Sequence, residues 1–245
     1  MSEKKRDKRK KFKAKLPLKL IPLECIDKKD HEVYSEKRMR NPARFIRPWR
    51  MVLCGGVSRG KSATLKNIIL HQRPFFQRIV VLHTDINNTE WDDLSPSEML
   101  NDIPELDFWD EVEGHQLLII EDMDLNPKDV RLSQLMRYVS SHKSVSIACL
   151  FQQITAIPTV VRRNANVFVL FDPKPDLVNT RLIESRCGLS KGELTYLFKH
   201  VATNFHDSIC LDLTNGSKYP MRLNVFQPIR KVTKEELKND TIKTK

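Results

Sequence analysis

A short apolar run, Arg50-Met-Val-Leu-Cys54, feeds Gly55-Gly-Val-Ser-Arg-Gly-Lys-Ser62, and an apolar stripe follows at Leu65, Ile68 and Ile69. A buried strand must therefore turn through a glycine-bearing loop into a helix, predicted over residues 61–72 and stopped by Pro74. The loop satisfies G-x-x-x-x-G-K-[ST] in the strand–loop–helix setting that gives this pattern its meaning. Glycine allows a backbone path along which successive N–H groups point inward and cradle an anion. The positive end of the next helix adds to that field. Gly55, Gly56, Val57, Ser58, Arg59, Gly60, Lys61 and Ser62 are thus the candidate residues for binding a nucleoside triphosphate. Lys61 brings a cation on a flexible stem to the outer phosphates, and Ser62 offers a hydroxyl to Mg²⁺, a hard ion that takes oxygen ligands.

The rest of the body alternates short β-branched runs with helical patterns. Strands are expected at 78–83, 117–120, 145–151 and 167–171, and a helix from Pro127 to about Ser141. Two further helices are expected at 177–187 and 191–200, separated by Gly188. Strands that are apolar on both faces and linked by helices imply a mostly parallel central sheet covered on both sides, an α/β fold. Residues 208–213 and 219–226 flank Asn215-Gly216, a hairpin signal. The domain scheme is a basic, largely disordered arm and lead-in over 1–44, a folded domain over 45–228, and a polar, frayed tail over 229–245.

A second strand should end in acids. Leu117-Leu-Ile-Ile-Glu121-Asp122-Met-Asp124 does so. Hydrolysis needs one carboxylate near Mg²⁺ and another to orient the attacking water. The most direct assignment gives Glu121 the metal side, with Ser62, and Asp122 the water; a shift that puts Asp122 on the metal with Asp124 nearby stays open. Gln152-Gln153 ends the strand at 145–151, where an amide can sense the terminal phosphate. Arg162-Arg163 precedes the next strand, at the edge of the nucleotide face, where an arginine can reach the phosphates of an adjacent protomer; a salt bridge or a DNA contact explains the pair as well. Trp49, Trp91 and Trp109 are too scattered for a base-stacking platform and are expected to pack. The dispersed histidines show no metal spacing, and there is no Asn-Lys-x-Asp guanine reader.

Charge is divided sharply along the chain. Residues 1–50 hold 18 basic and 7 acidic side chains, whereas 51–245 hold 24 of each, so the net +11 belongs to the N-terminal arm. Nine Lys or Arg lie in the first 15 residues, a composition that stays unfolded, binds phosphate backbones and serves as a nuclear import signal. Between Ile79 and Pro127 there are 14 acids and no Lys or Arg, which reads either as a solvated insertion or as a face for a basic neighbour. No apolar run approaches the roughly 18 residues of a membrane span. Five cysteines (25, 54, 149, 187, 210), odd in number and without a pairing pattern in their spacing, lie in mostly apolar surroundings; with no apolar leader behind Met1 they point to reduced thiols and an intracellular setting.

The order of these motifs resembles the FtsK–HerA-type genome-packaging ATPases of double-stranded DNA viruses, as in poxviruses, other large DNA viruses, virophages and polinton-like elements. The resemblance is carried by residues 52–62, Leu117–Asp122, Phe151-Gln-Gln-Ile-Thr-Ala-Ile-Pro158 and Val161-Arg-Arg-Asn-Ala-Asn-Val-Phe-Val-Leu-Phe171, and it spans roughly 46–226. It implies a RecA-like (ASCE) core with sheet order close to 5-1-4-3-2, a ring of identical subunits, and ATP-driven movement of double-stranded DNA into a capsid. It further implies that Lys61 and Ser62 bind phosphate and magnesium, that Glu121 and Asp122 are the paired acids, that Gln152 is the sensor and that Arg162 is the arginine acting in trans. Gln153 and Arg163 stay open as substitutes for the last two. The family more often shows Asp first in the acid pair, so Glu-Asp leaves the division of labour open. Capsid, portal or vertex proteins are the further partners implied, in the nucleus or a viral factory. The alternative is a nucleotide-switched DNA-binding or recruitment protein without motor activity.

Overall fold

The computed structural model of the chain describes residues 18–20, 44–173, 179–215 and 217–231. The basic run at 4–15, Cys25, Gly216, the first residues of the helix expected at 177 and the tail beyond 231 lie outside them. The strands are β1 (Leu18–Leu20), β2 (Arg50–Cys54), β3 (Arg78–Leu82), β4 (Glu98–Leu100), β5 (Gln116–Ile120), β6 (Val145–Phe151), β7 (Val167–Phe171), β8 (Ser208–Asp212), β9 (Met221–Leu223) and β10 (Gln227–Lys231). They form one sheet in the order β1-β10-β9-β8-β7-β2-β6-β5-β3-β4. From β7 to β4 every pairing is parallel, and from β7 back to β1 every pairing is antiparallel. The five strands read from the sequence take the spatial order 5-1-4-3-2, as a RecA-like core requires.

Strand alternation sorts the core into two layers. Val52, Cys54, Leu118, Ile120, Ile147, Cys149, Phe168 and Leu170 face one side, packed against Leu132, Leu135, Val161, Ile183 and Leu197. Met51, Leu53, Leu117, Ile119, Ala148, Leu150, Val167 and Val169 face the other, packed against Leu65, Ile68, Ile69 and Trp91. Each fully buried Leu or Ile contributes about 1.5–3 kcal/mol, so both layers resist exchange of apolar for polar residues. The second face is covered by α1 (Lys61–Leu70). The first is covered by α2 (Val130–Gln134), a π-helical turn at Leu135–Val139, α3 (Ser140–His142), α4 (Thr159–Asn164), α5 (Thr180–Arg186) and α6 (Glu193–His200).

Several expectations need correction. The helix expected from Pro127 starts at Val130, because Asp129 is its N-cap and accepts from the Arg131 N–H at 2.8 Å. Residues 219–226 are not one strand: Asn224 (φ 50) and Val225 (φ 67) turn the chain back, and β10 follows where a frayed tail was expected. No glycine marks that turn; Asn224 is held there by donating to Asp207 Oδ1 at 2.9 Å and accepting from the Ser208 N–H at 2.8 Å. The lead-in contributes β1, paired antiparallel with β10. The acidic insertion holds the short edge strand β4, and four of its stretches are tied to cations from elsewhere in the chain. Asp93 meets Lys66, Glu98 and Glu111 meet Arg78, Asp102 meets Arg131, and Asp110 meets Lys143.

Candidate nucleotide-binding site

All parallel strands point their C-terminal ends to one edge, and the candidate residues gather there. Gly55 continues β2 and donates its N–H to Phe151 O at 3.0 Å. A Cβ at Gly55 would stand 2.6 Å from Phe171 Cβ, so only glycine fits. Ser58 (φ 58) and Gly60 (φ 91) adopt left-handed conformations, which curl the loop over the start of α1. Lys61 Nζ bends back over the loop to donate to Gly56 O at 3.1 Å. Val57 is exposed beside it.

β6 lies between β2 and β5, so the end of β6 separates the loop from the acids. Gln152 and Gln153 leave that end and, with Gly55, Gly56, Val57, Phe171 and Asp172, line a cleft of about 370 Å³. Both amides are exposed, so either can reach into it.

The alternation of β5 sends Leu117 and Ile119 to the α1 face and carries Glu121, one residue past the strand, to that side as well. There the Ser62 hydroxyl donates to Glu121 Oε1 at 3.1 Å. The indole Nε1–H of Trp91 donates to Glu121 Oε2 at 2.9 Å. Burial chiefly, then the neighbouring charge of Glu90, pushes the Glu121 carboxyl above the ordinary glutamate range; the two hydrogen bonds pull the other way, and Asp122 adds a smaller push.

Asp122 differs in every respect. It breaks the strand with φ 48, and its side chain is 59% exposed. Its Oδ2 lies 3.9 Å from Nε2 of His83, a buried histidine at the end of β3 whose Nδ1 accepts the Asp85 N–H at 2.9 Å. Asp124 is exposed two residues further on. The paired acids thus divide into one buried and bonded to the loop helix, and one open to solvent.

The arginines are not brought to this edge. α4 starts near the end of β6 and descends, so that its last residue, Asn164, accepts from Arg50 Nε at 2.8 Å at the opposite, N-terminal end of β2. Arg162 and Arg163 sit on that last turn, away from the nucleotide edge where the sequence reading put them. Arg162 donates to Ile157 O at 3.3 Å, while Arg163 is exposed. The Arg59 side chain also turns from the loop: it donates to Phe205 O at 2.7 Å and stacks over the Phe205 ring at 4.0 Å. His206 Nδ1 lies 3.4 Å from Arg59 O, so the segment between α6 and β8 buttresses the loop. Trp91, His83 and Phe205 had no spacing signal; each joins the site through the fold.

No group of three or more His, Cys, Asp or Glu with metal-holding geometry occurs among the described residues. The fit for Mg²⁺ is instead a hydroxyl and a carboxylate, Ser62 and Glu121, converging at the mouth of the loop with oxygen donors.

No family model and no curated protein matches the chain. Among solved structures, it is similar to the genome packaging NTPase B204 from Sulfolobus turreted icosahedral virus 2 in complex with sulfate, at 15% identity and a TM-score of 0.49, covering 75% of this chain and 98% of that one. It is similar to ATPases 2 and 3 of EssC from Geobacillus thermodenitrificans at 11% identity and a TM-score of 0.46, covering 78% and 42%. The N-terminal domain of zonular occludens toxin from Neisseria meningitidis is similar at 13% identity and a TM-score of 0.34, covering 51% and 77%. By its own strand order and register the chain has a RecA-like α/β fold, with the glycine loop at the end of β2 and the acid pair at the end of β5.

Proposed function

We propose that this chain is an ATP hydrolase that drives double-stranded DNA into a viral capsid as a ring of identical subunits. The observation that carries the hydrolase is the meeting of Ser62 and Glu121 at the mouth of the glycine loop, with Asp122 exposed beside them. Backbone N–H groups of residues 56–61 and the Lys61 ammonium bind the phosphates. Ser62 and Glu121 would hold Mg²⁺, which, when bound, neutralises charge on the outer phosphates. Asp122 accepts a hydrogen bond from the attacking water, and Gln152 or Gln153 contacts the terminal phosphate from the cleft. Water adds to that phosphorus as its bond to the bridging oxygen breaks. Support for DNA comes from the +11 balance of residues 1–50 and from the motif order of residues 46–226.

The test is ATP turnover by the purified full chain with and without duplex DNA, with Lys61→Ala as control. DNA-stimulated turnover that the substitution abolishes is the expected result; turnover indifferent to DNA removes the motor. A nucleotide-switched DNA-binding protein is the second reading, favoured by the tether of Arg162 back to Ile157 O within its own segment. Mixing wild type with Arg162→Ala, and separately with Arg163→Ala, separates the two: cooperative poisoning of ATPase activity belongs to a ring with an arginine acting in trans, and simple dilution belongs to the switch.

A further inference from the structure

The three tryptophans are equally buried, yet among the described residues the indole N–H of just one finds an acceptor. Trp49 and Trp109 have indole nitrogens with no hydrogen-bond partner among the described residues, so the fold buries tryptophan without demanding an acceptor. Trp91 instead aims its N–H at Glu121 Oε2, across 30 residues of sequence. Ser62 holds the other oxygen. The terminal torsion of a glutamate is soft, and a donor on each oxygen stops it turning. The segment that bears Trp91 is itself fastened to α1: Lys66 Nζ donates to Glu90 O, pairs with Asp93 Oδ1 at 2.9 Å and stands 5.4 Å over the indole ring. One helix therefore anchors both donors, because α1 begins with Lys61 and Ser62 and carries Lys66 one turn later.

We propose that Trp91 is a positioning residue: it locks Glu121 as the magnesium-side acid and thereby leaves Asp122 to the attacking water. This rests on the ATPase reading above. The acidic insertion is then part of the catalytic apparatus, its carboxylates serving in part to fasten the loop that delivers the indole. Outer-shell hydrogen bonds of this kind orient a ligand, and their loss costs about 10–100-fold in activity or metal affinity.

Two measurements on the full chain decide it. In steady-state kinetics, Trp91→Phe, which keeps an aromatic ring but lacks the N–H, should leave KM for ATP within about twofold and lower kcat about tenfold or more. In ¹H–¹⁵N spectra, the Trp91 indole signal, assigned by its loss in Trp91→Phe or by elimination with Trp49→Phe and Trp109→Phe, should move upfield in Glu121→Gln and respond to Mg²⁺. An indole signal unmoved in Glu121→Gln, or a Trp91→Phe enzyme as fast as wild type, overturns the proposal. Wild type without turnover overturns the ATPase reading alone, and the indole signal still decides whether Trp91 holds Glu121.

Discussion

The hydroxyl of Ser62, on the first turn of α1, donates to Glu121 Oε1 just past β5 across 3.1 Å. Two elements separated by 59 residues are thereby joined at the loop mouth. Ser62→Ala removes one hard oxygen donor and releases Glu121 Oε1, while Trp91 still holds Oε2. The Mg²⁺ concentration for half-maximal turnover should rise about tenfold or more, while Ser62→Thr, which keeps the hydroxyl, stays close to wild type. A Mg²⁺ titration of the three proteins checks this; an unchanged midpoint in Ser62→Ala would remove Ser62 from the metal site.

The buried thiols should be inert. Burial pushes Cys149 and Cys210 up to about 12, and the half-buried Cys187 to about 12 as well. At pH 8 the thiolate fraction of each is then about 10⁻⁴, and the thiolate is the reactive form. Alkylation followed by mass spectrometry should leave these three unmodified in the native protein and label all of them in urea. Rapid native labelling of Cys149 would contradict the packing of β6.

The central strands were legible in the sequence because each is an apolar run that both helical layers cover, as in Val145–Phe151, buried at every position. β4 was not legible: Glu98–Leu100 is three residues long and half-buried throughout. The β9–β10 turn was missed because it rests on Asn224 and Val225 rather than on glycine. In the site, the loop and the acids declared themselves by spacing, whereas the Trp91–Glu121 bond joins residues whose separation encodes nothing. The location of Arg162 depended on α4, a six-residue helix over Thr159–Asn164 that was not among the expected elements.

The antiparallel extension should depend on one buried ion pair. Arg222 and Asp212 meet at 2.6 Å with side chains 4% and 5% exposed, and Ser217 Oγ and the Thr214 N–H also donate to the Asp212 carboxylate. Removing one partner of a buried pair leaves an uncompensated charge and costs about 3–5 kcal/mol. Asp212→Ala should lose that much in urea unfolding. Replacing both partners by apolar residues, as in Asp212→Leu with Arg222→Met, should recover most of it. A loss below about 1 kcal/mol in the single variant would mean that water reaches the guanidinium.

Gly55→Ala tests how closely β2 and β7 are apposed at the nucleotide edge. The added methyl would lie 2.6 Å from Phe171 Cβ and 3.2 Å from its Cγ, so the clash is with the root of the side chain rather than with its ring. Forcing a methyl into packed surroundings costs about 1–3 kcal/mol and shifts backbone. Here the shift falls on the loop, since the Gly55 N–H also holds Phe151 O at 3.0 Å. The variant should therefore melt earlier and bind ATP more weakly than its stability loss alone explains. Because the nearest atom is a Cβ, Phe171→Leu should not rescue nucleotide affinity, whereas Phe171→Gly should restore part of it despite the cavity it leaves. Rescue by leucine would place the conflict at the ring and revise the packing of β7 against the loop.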